Sequence, residues 1–158
     1  MKQNFKVPIV NWGVTMTEIP DHVALFVNVG QCECHCKGCH SSYLWDTEEC
    51  ERMTPGQLFD VIGSYKDLID TVVFMGGNRN CMDFEEFAEE VLKPVKELGY
   101  HVGIYLGAWD ATDLFIAAQY CRYVKVGLYR ENLGGLESPT TNQIFMEIQN
   151  YKFRKDEK

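Results

Sequence analysis

The 158-residue chain contains no apolar run approaching the ~20 residues that a membrane-crossing helix needs. Its first residues, "MKQNFKVPIVNWGV", lack the apolar stretch and small-residue cleavage site of a secretory signal, so a cytoplasmic protein with no membrane contact is expected. Basic clusters are missing as well. Fifteen Lys and Arg stand against 23 Asp and Glu, a formal net charge of −8. Nucleic-acid binding neutralises phosphates with clustered Lys and Arg, so no nucleic-acid partner is expected. The sequence has no internal repeat, no low-complexity segment and no Pro- or Ser-rich linker. One domain over residues 1–158 is expected, with 147–158 as a polar tail. Hydrophobic residues at 46% and charged residues at 24% are globular proportions, in a chain long enough to bury a core.

What the sequence does have is cysteine. Four of its seven cysteines, Cys32, Cys34, Cys36 and Cys39, crowd into "GQCECHCKGCHSSYLWD" (residues 30–46), with His35 and His40 among them. Cytosolic thiols stay reduced, and an odd number cannot all pair. The crowded thiols are therefore metal ligands or reactive groups.

Elsewhere strands and helices alternate. "HVALFVNV" (His22–Val29) is apolar, β-branched and leads directly into the cysteine loop. Thr54, Pro55 and Gln57 form a helix start with a capping box, followed by Leu58, Val61, Ile62 and Tyr65 at helical spacing. "TVVFMGG" (Thr71–Gly77) reads as a buried strand with a glycine turn. Asp83 and Glu86 open a second helix, which Pro94 should kink and Gly99 should end. "YHVGIYLG" (Tyr100–Gly107) is a third strand, "DATDLFIAAQYC" a short helix and "YVKVGLY" (Tyr123–Tyr129) a fourth strand. This alternation implies a parallel α/β sheet built by right-handed crossovers. A closed eight-stranded barrel usually takes about 250 residues, so an open sheet or partial TIM-like barrel with helices outside is expected. The cysteine loop, Gly76–Gly77, and Gly107 with Trp109 all follow strand ends, where parallel sheets build ligand sites.

The cysteines allow several ligand sets. Cys32, Cys36 and Cys39 form C-x3-C-x2-C, and three thiolates can hold three irons of a [4Fe–4S] cube while the fourth iron takes another ligand. Zinc could instead take Cys32 or Cys34 with Cys36, Cys39 and a histidine, or all four cysteines. A zinc ribbon normally joins two separated pairs, however, and Cys50, Cys81 and Cys121 stand alone.

On these residues the chain resembles the radical S-adenosylmethionine superfamily. Within it, the chain is most similar to the family of anaerobic ribonucleoside-triphosphate reductase activating proteins. Besides "CECHCKGCH", the similarity rests on "IVN" (Ile9–Asn11), "LFV" (Leu25–Val27), Trp45, "FMGG", "YLGAW" and "TTNQ" (Thr140–Gln143), which stand in the family's order. The sequence departs from the family at Asn78, where relatives place an acidic residue, and at Val126, where they place an aspartate. Cys34 is an additional thiol.

The resemblance implies a [4Fe–4S] cluster on Cys32, Cys36 and Cys39, with S-adenosylmethionine on its open iron. Gly38, Cys39 and His40 would flank the adenine or ribose. Gly76, Gly77, Asn78 and Gly107 would line the ligand, with Asn78 facing its ammonium group. It also implies a partner, the large subunit of an anaerobic ribonucleotide reductase, on which a glycyl radical is installed, and an electron donor such as flavodoxin. Two other functions stay open: a related radical enzyme acting on another glycyl radical protein or a small molecule, and a non-enzymatic zinc or iron–sulfur binding module.

Overall fold

The computed structural model describes residues 5–19, 21–30, 51–78, 82–107, 110–127 and 143–149. In chain order these form β1 (Val7–Thr15), β2 (Ala24–Val29), β3 (Glu51–Met53), α1 (Pro55–Gly63), β4 (Thr71–Met75), α2 (Phe84–Phe87), α3 (Lys93–Glu97), β5 (His101–Leu106), α4 (Ala111–Tyr120), β6 (Tyr123–Val126) and β7 (Ile144–Glu147). The strands make one sheet in the order β3-β1-β2-β4-β5-β6-β7, and its two outer strands do not pair with each other.

The four strands expected from the sequence form the centre. β2, β4, β5 and β6 run parallel, and helices α1 to α4 fill the connections after β3, β4 and β5. The flanks differ from the expected all-parallel sheet. β1 pairs antiparallel with β2, β3 with β1, and β7 with β6, so the sheet is mixed. The short segment between Thr15 and Ala24 cannot make a crossover, which takes a dozen residues or more, so β1 has to return antiparallel. Glu147, where the sequence suggests that a polar tail starts, closes β7, and Ile148 packs against the core.

Alternate residues of the central strands face opposite sides. Val27, Phe74, Ile104 and Val126 pack under the helices against Leu58, Phe87, Val91 and Ala117. Fully burying one such large side chain contributes about 1.5–3 kcal/mol, so this layer holds the sheet and helices together. The other side has a smaller apolar cluster of Ala24, Val73, Tyr105 and Tyr123, covered by Ile19. Ile19 lies in the β1–β2 connection and is fully buried.

The helix signals hold in detail. Thr54 and Gln57 exchange both bonds of the capping box, and the Asp83 carboxylate accepts from Glu86 N–H. Pro94 acts differently from a simple kink. It has no N–H to give, and the preceding turn, Ala88–Leu92, widens to a π-helix in which Lys93 N–H donates to the Ala88 carbonyl. Gly99, at φ +106°, ends the run.

At the N-terminal ends of the strands, His22 joins three of them. Its Nδ1 lies 2.8 Å from the Asp70 carboxylate just before β4, and its Nε2 lies 2.9 Å from the Tyr123 hydroxyl of β6. A carboxylate only accepts, so Nδ1 carries the proton, and in the neutral ring Nε2 accepts from Tyr123.

Candidate functional site

The register of the sheet aligns a row of residues on the face away from the helices: Asn11, Asn28, Met75, Tyr105, Lys125 and Phe145 are successive partners across six strands. Two residues further along, the four parallel strands reach Gly30, Gly77, Gly107 and Gly127, and the antiparallel β7 reaches Gln143. Each of the four parallel strands is thus followed within two residues by a glycine, and these glycines mark one edge of the sheet. In sequence the cysteine loop starts directly after Gly30.

Two of these glycines are required by the backbone. Gly77 has φ +145° and Gly127 has φ +117°, which residues with a Cβ rarely adopt. A Cβ on Gly77 would also stand 3.1 Å from Phe87 Cε2 and 3.3 Å from Ile104 Cδ1. Gln143 Nε2 donates to the Gly127 carbonyl at 3.3 Å, fastening β7 to the end of β6.

Beneath the edge the floor is polar but internally bonded. Asn28, almost fully buried, donates to Asn11 at 2.6 Å. The Tyr105 hydroxyl lies 2.7 Å from a Glu18 carboxylate oxygen and 3.0 Å from the Glu18 carbonyl. Burial, then the bond to Glu18 and its charge, push the Tyr105 hydroxyl far above its ordinary value, so it stays protonated at neutral pH. Lys125 Nζ stands 4.1 Å over the Tyr105 ring, within cation–π range.

Gly76, Gly77, Asn78 and Gly107 lie at this edge, where β4 and β5 end. Asn78 is spent on the protein itself: its side-chain oxygen accepts Gly107 N–H at 3.0 Å and its side-chain nitrogen donates to Asp113 at 3.1 Å. Gly38, His40 and the proposed ligands Cys32, Cys36 and Cys39 lie outside the described residues, as do Cys34, Trp45, Trp109 and Thr140–Asn142. The sequence reading passed over Asp113, Lys125 and the Asn11–Asn28 pair. Lys125 and Asn28 each interrupt an apolar strand ("YVKV", "FVNV"), which is a usable signal. Asp113 reads as an ordinary acid in a first helical turn and carries no such signal.

A cavity of about 320 Å³ lies elsewhere, at the N-terminal ends of the strands, lined by Lys66, Asp70, Leu98, Tyr100 and His101. It is at the opposite end of the strands from Gly77 and Gly107. Among the described residues, no group of three or more His, Cys, Asp or Glu could hold a metal ion.

A family model described as a 4Fe-4S single cluster domain matches residues 22–108, from the start of β2 to just past Gly107. No curated protein matches the chain. Among solved structures, QueE from Escherichia coli shares the fold at a TM-score of 0.55 and 16% identity. The match covers 65% of this chain and 53% of that one, so it spans about half of the QueE chain.

Proposed function

Because the chain belongs to the family of 4Fe-4S single cluster domains, we propose that it is a radical S-adenosylmethionine enzyme, and within that class an activase that installs a glycyl radical on the large subunit of an anaerobic ribonucleotide reductase. On this reading the open sheet is the partial barrel of that class. One observation carries the proposal: the strand leading into C-x3-C-x2-C belongs to a run of four parallel strands, each followed within two residues by a glycine.

The donor set fits the group. Three thiolates can hold three corners of a [4Fe–4S] cube and leave one iron for a ligand. Cys32, Cys36 and Cys39 would hold the cluster, which when bound and reduced supplies the electron for cleaving the sulfonium S–C5′ bond of S-adenosylmethionine into methionine and a 5′-deoxyadenosyl radical.

The chain's own part is positioning. Gly77, which has positive φ and packs against Phe87 and Ile104 where a Cβ would stand, fixes the course of the backbone after β4. Tyr105, held by Glu18, is a fixed floor that keeps its proton at neutral pH. The apolar layer of Phe74, Phe87 and Ile104 excludes water from behind the edge. A short, open sheet leaves the radical site reachable by the glycine loop of a partner, and the family resemblance supplies that partner.

The test is anaerobic reconstitution with iron and sulfide, followed by reduction and an assay for 5′-deoxyadenosine. Co-expression with the large reductase subunit should then give the doublet EPR signal of a glycyl radical. Cleavage without that signal, on a partner shown to be intact, would replace the activase by a radical enzyme with another substrate.

A further inference from the structure

The Asn78 side chain sits where the turn after β4, the end of β5 and the first turn of α4 meet. Its orientation is fixed by its partners. Gly107 N–H can only donate and the Asp113 carboxylate only accepts, so the amide oxygen must face Gly107 and the nitrogen Asp113. The amide therefore ties together the ends of two adjacent strands of the glycine edge. It also holds a partly buried carboxylate beside that edge by means of a neutral donor, which leaves the negative charge in place.

The ligand proposed above is cationic at one end, with a sulfonium and an ammonium against one carboxylate. The geometry points to a division of labour: Asp113 supplies the negative charge that orients the cationic, methionyl end of that ligand along the Gly77–Gly107 edge, and Asn78 is the positioning residue that holds Asp113 and the two strand ends in place. This inference rests on the radical S-adenosylmethionine reading. It places the acidic function on α4, 35 positions from Asn78 in the chain. An acid in a first helical turn also stabilises the helix by itself, so the test has to separate charge from structure.

Asp113→Asn does so, because it keeps an acceptor for the Asn78 amide and removes only the charge. Calorimetric titration of the reconstituted protein would compare S-adenosylmethionine with 5′-methylthioadenosine, which keeps the nucleoside and the sulfur but carries no charge. The variant should bind S-adenosylmethionine about tenfold more weakly, the size of one lost charge-assisted contact. Its affinity for the neutral analogue should stay within about twofold on the same scale. The double variant Asn78→Asp/Asp113→Asn exchanges amide and carboxylate, and should recover most of the lost affinity. Equal losses for both ligands, no loss for either, or no recovery in the exchange variant would overturn the inference. If the wild-type protein binds S-adenosylmethionine and Asp113→Asn binds it equally well, this inference alone fails. A reconstituted wild type that does not bind it at all overturns the enzyme reading, and this inference with it.

Discussion

Replacing Gly77 with Ala tests whether the glycine edge is built as the structure requires. Two costs add. At φ +145° a residue with a Cβ is strained, which costs about 1–3 kcal/mol. The new methyl would also meet Phe87 Cε2 at 3.1 Å, Ile104 Cδ1 at 3.3 Å and Phe87 Cδ2 at 3.4 Å. Phe87 cannot swing away. It is fully buried, edge-on to Phe74 with ring centroids 5.5 Å apart, and has Phe84 at 6.2 Å on another side. Overpacking of this kind costs a further ~1–3 kcal/mol. At roughly 2–4 °C per kcal/mol for a domain of this size, a combined loss of about 2–6 kcal/mol lowers the melting temperature by about 4–24 °C. Gly63→Ala is the control. Nothing stands within 4 Å of its Cβ, and it closes a helix, so it should leave stability unchanged or raise it by up to ~1 kcal/mol. Thermal unfolding followed by circular dichroism measures both. A Gly77→Ala protein melting within about 2 °C of wild type, which is under ~1 kcal/mol, would refute the reasoning.

Three further outcomes follow from other parts of the molecule. Replacing Cys32, Cys36 or Cys39 with Ala should abolish the visible absorption and iron content of the reconstituted protein, whereas Cys34→Ala should keep both; a cluster that survives loss of Cys36 contradicts the ligand assignment. The folded Tyr105 hydroxyl has its pKa raised above the ordinary 10.0, so it retains a proton that the unfolded chain gives up. Its contribution is complete below about pH 10 and falls as pH rises past that value. Tyr105→Phe should therefore flatten the alkaline decline in stability seen by urea titration at pH 9 to 11, and an unchanged slope rejects this. His22→Ala removes the bonds to Asp70 and Tyr123 and leaves a mostly buried tyrosine hydroxyl without its acceptor, a loss of about 2–3 kcal/mol. A loss below ~0.5 kcal/mol in chemical denaturation would show that His22 does not hold these strands together.

Much of this was legible in the sequence because the signals were local. Thr54–Gln57 and Asp83 give their helices away within four residues, and "TVVFM" or "HVGIYL" can only be buried strands. β1 escaped because Pro8, Asn11 and Gly13 interrupt its apolar pattern, and β3 and β7 because three or four residues carry too little periodicity. The candidate site divides in the same way. Gly77 and Gly107 announce themselves at strand ends. That Asn28, Met75, Tyr105 and Lys125 form one row before them depends on register, which only pairing reveals. The side-chain partnership of Asn78 with Asp113 joins positions far apart in the chain and has no signature in the sequence. The effect of Pro94 was foreseen in place but not in kind, because a missing donor can be met by widening a turn as well as by bending it.

The most direct test of the central claim combines metal analysis with product analysis on one sample. Protein reconstituted anaerobically should hold one [4Fe–4S] cluster per chain and, once reduced, convert S-adenosylmethionine into equal amounts of methionine and 5′-deoxyadenosine. A protein that binds zinc stoichiometrically and leaves S-adenosylmethionine intact would contradict it.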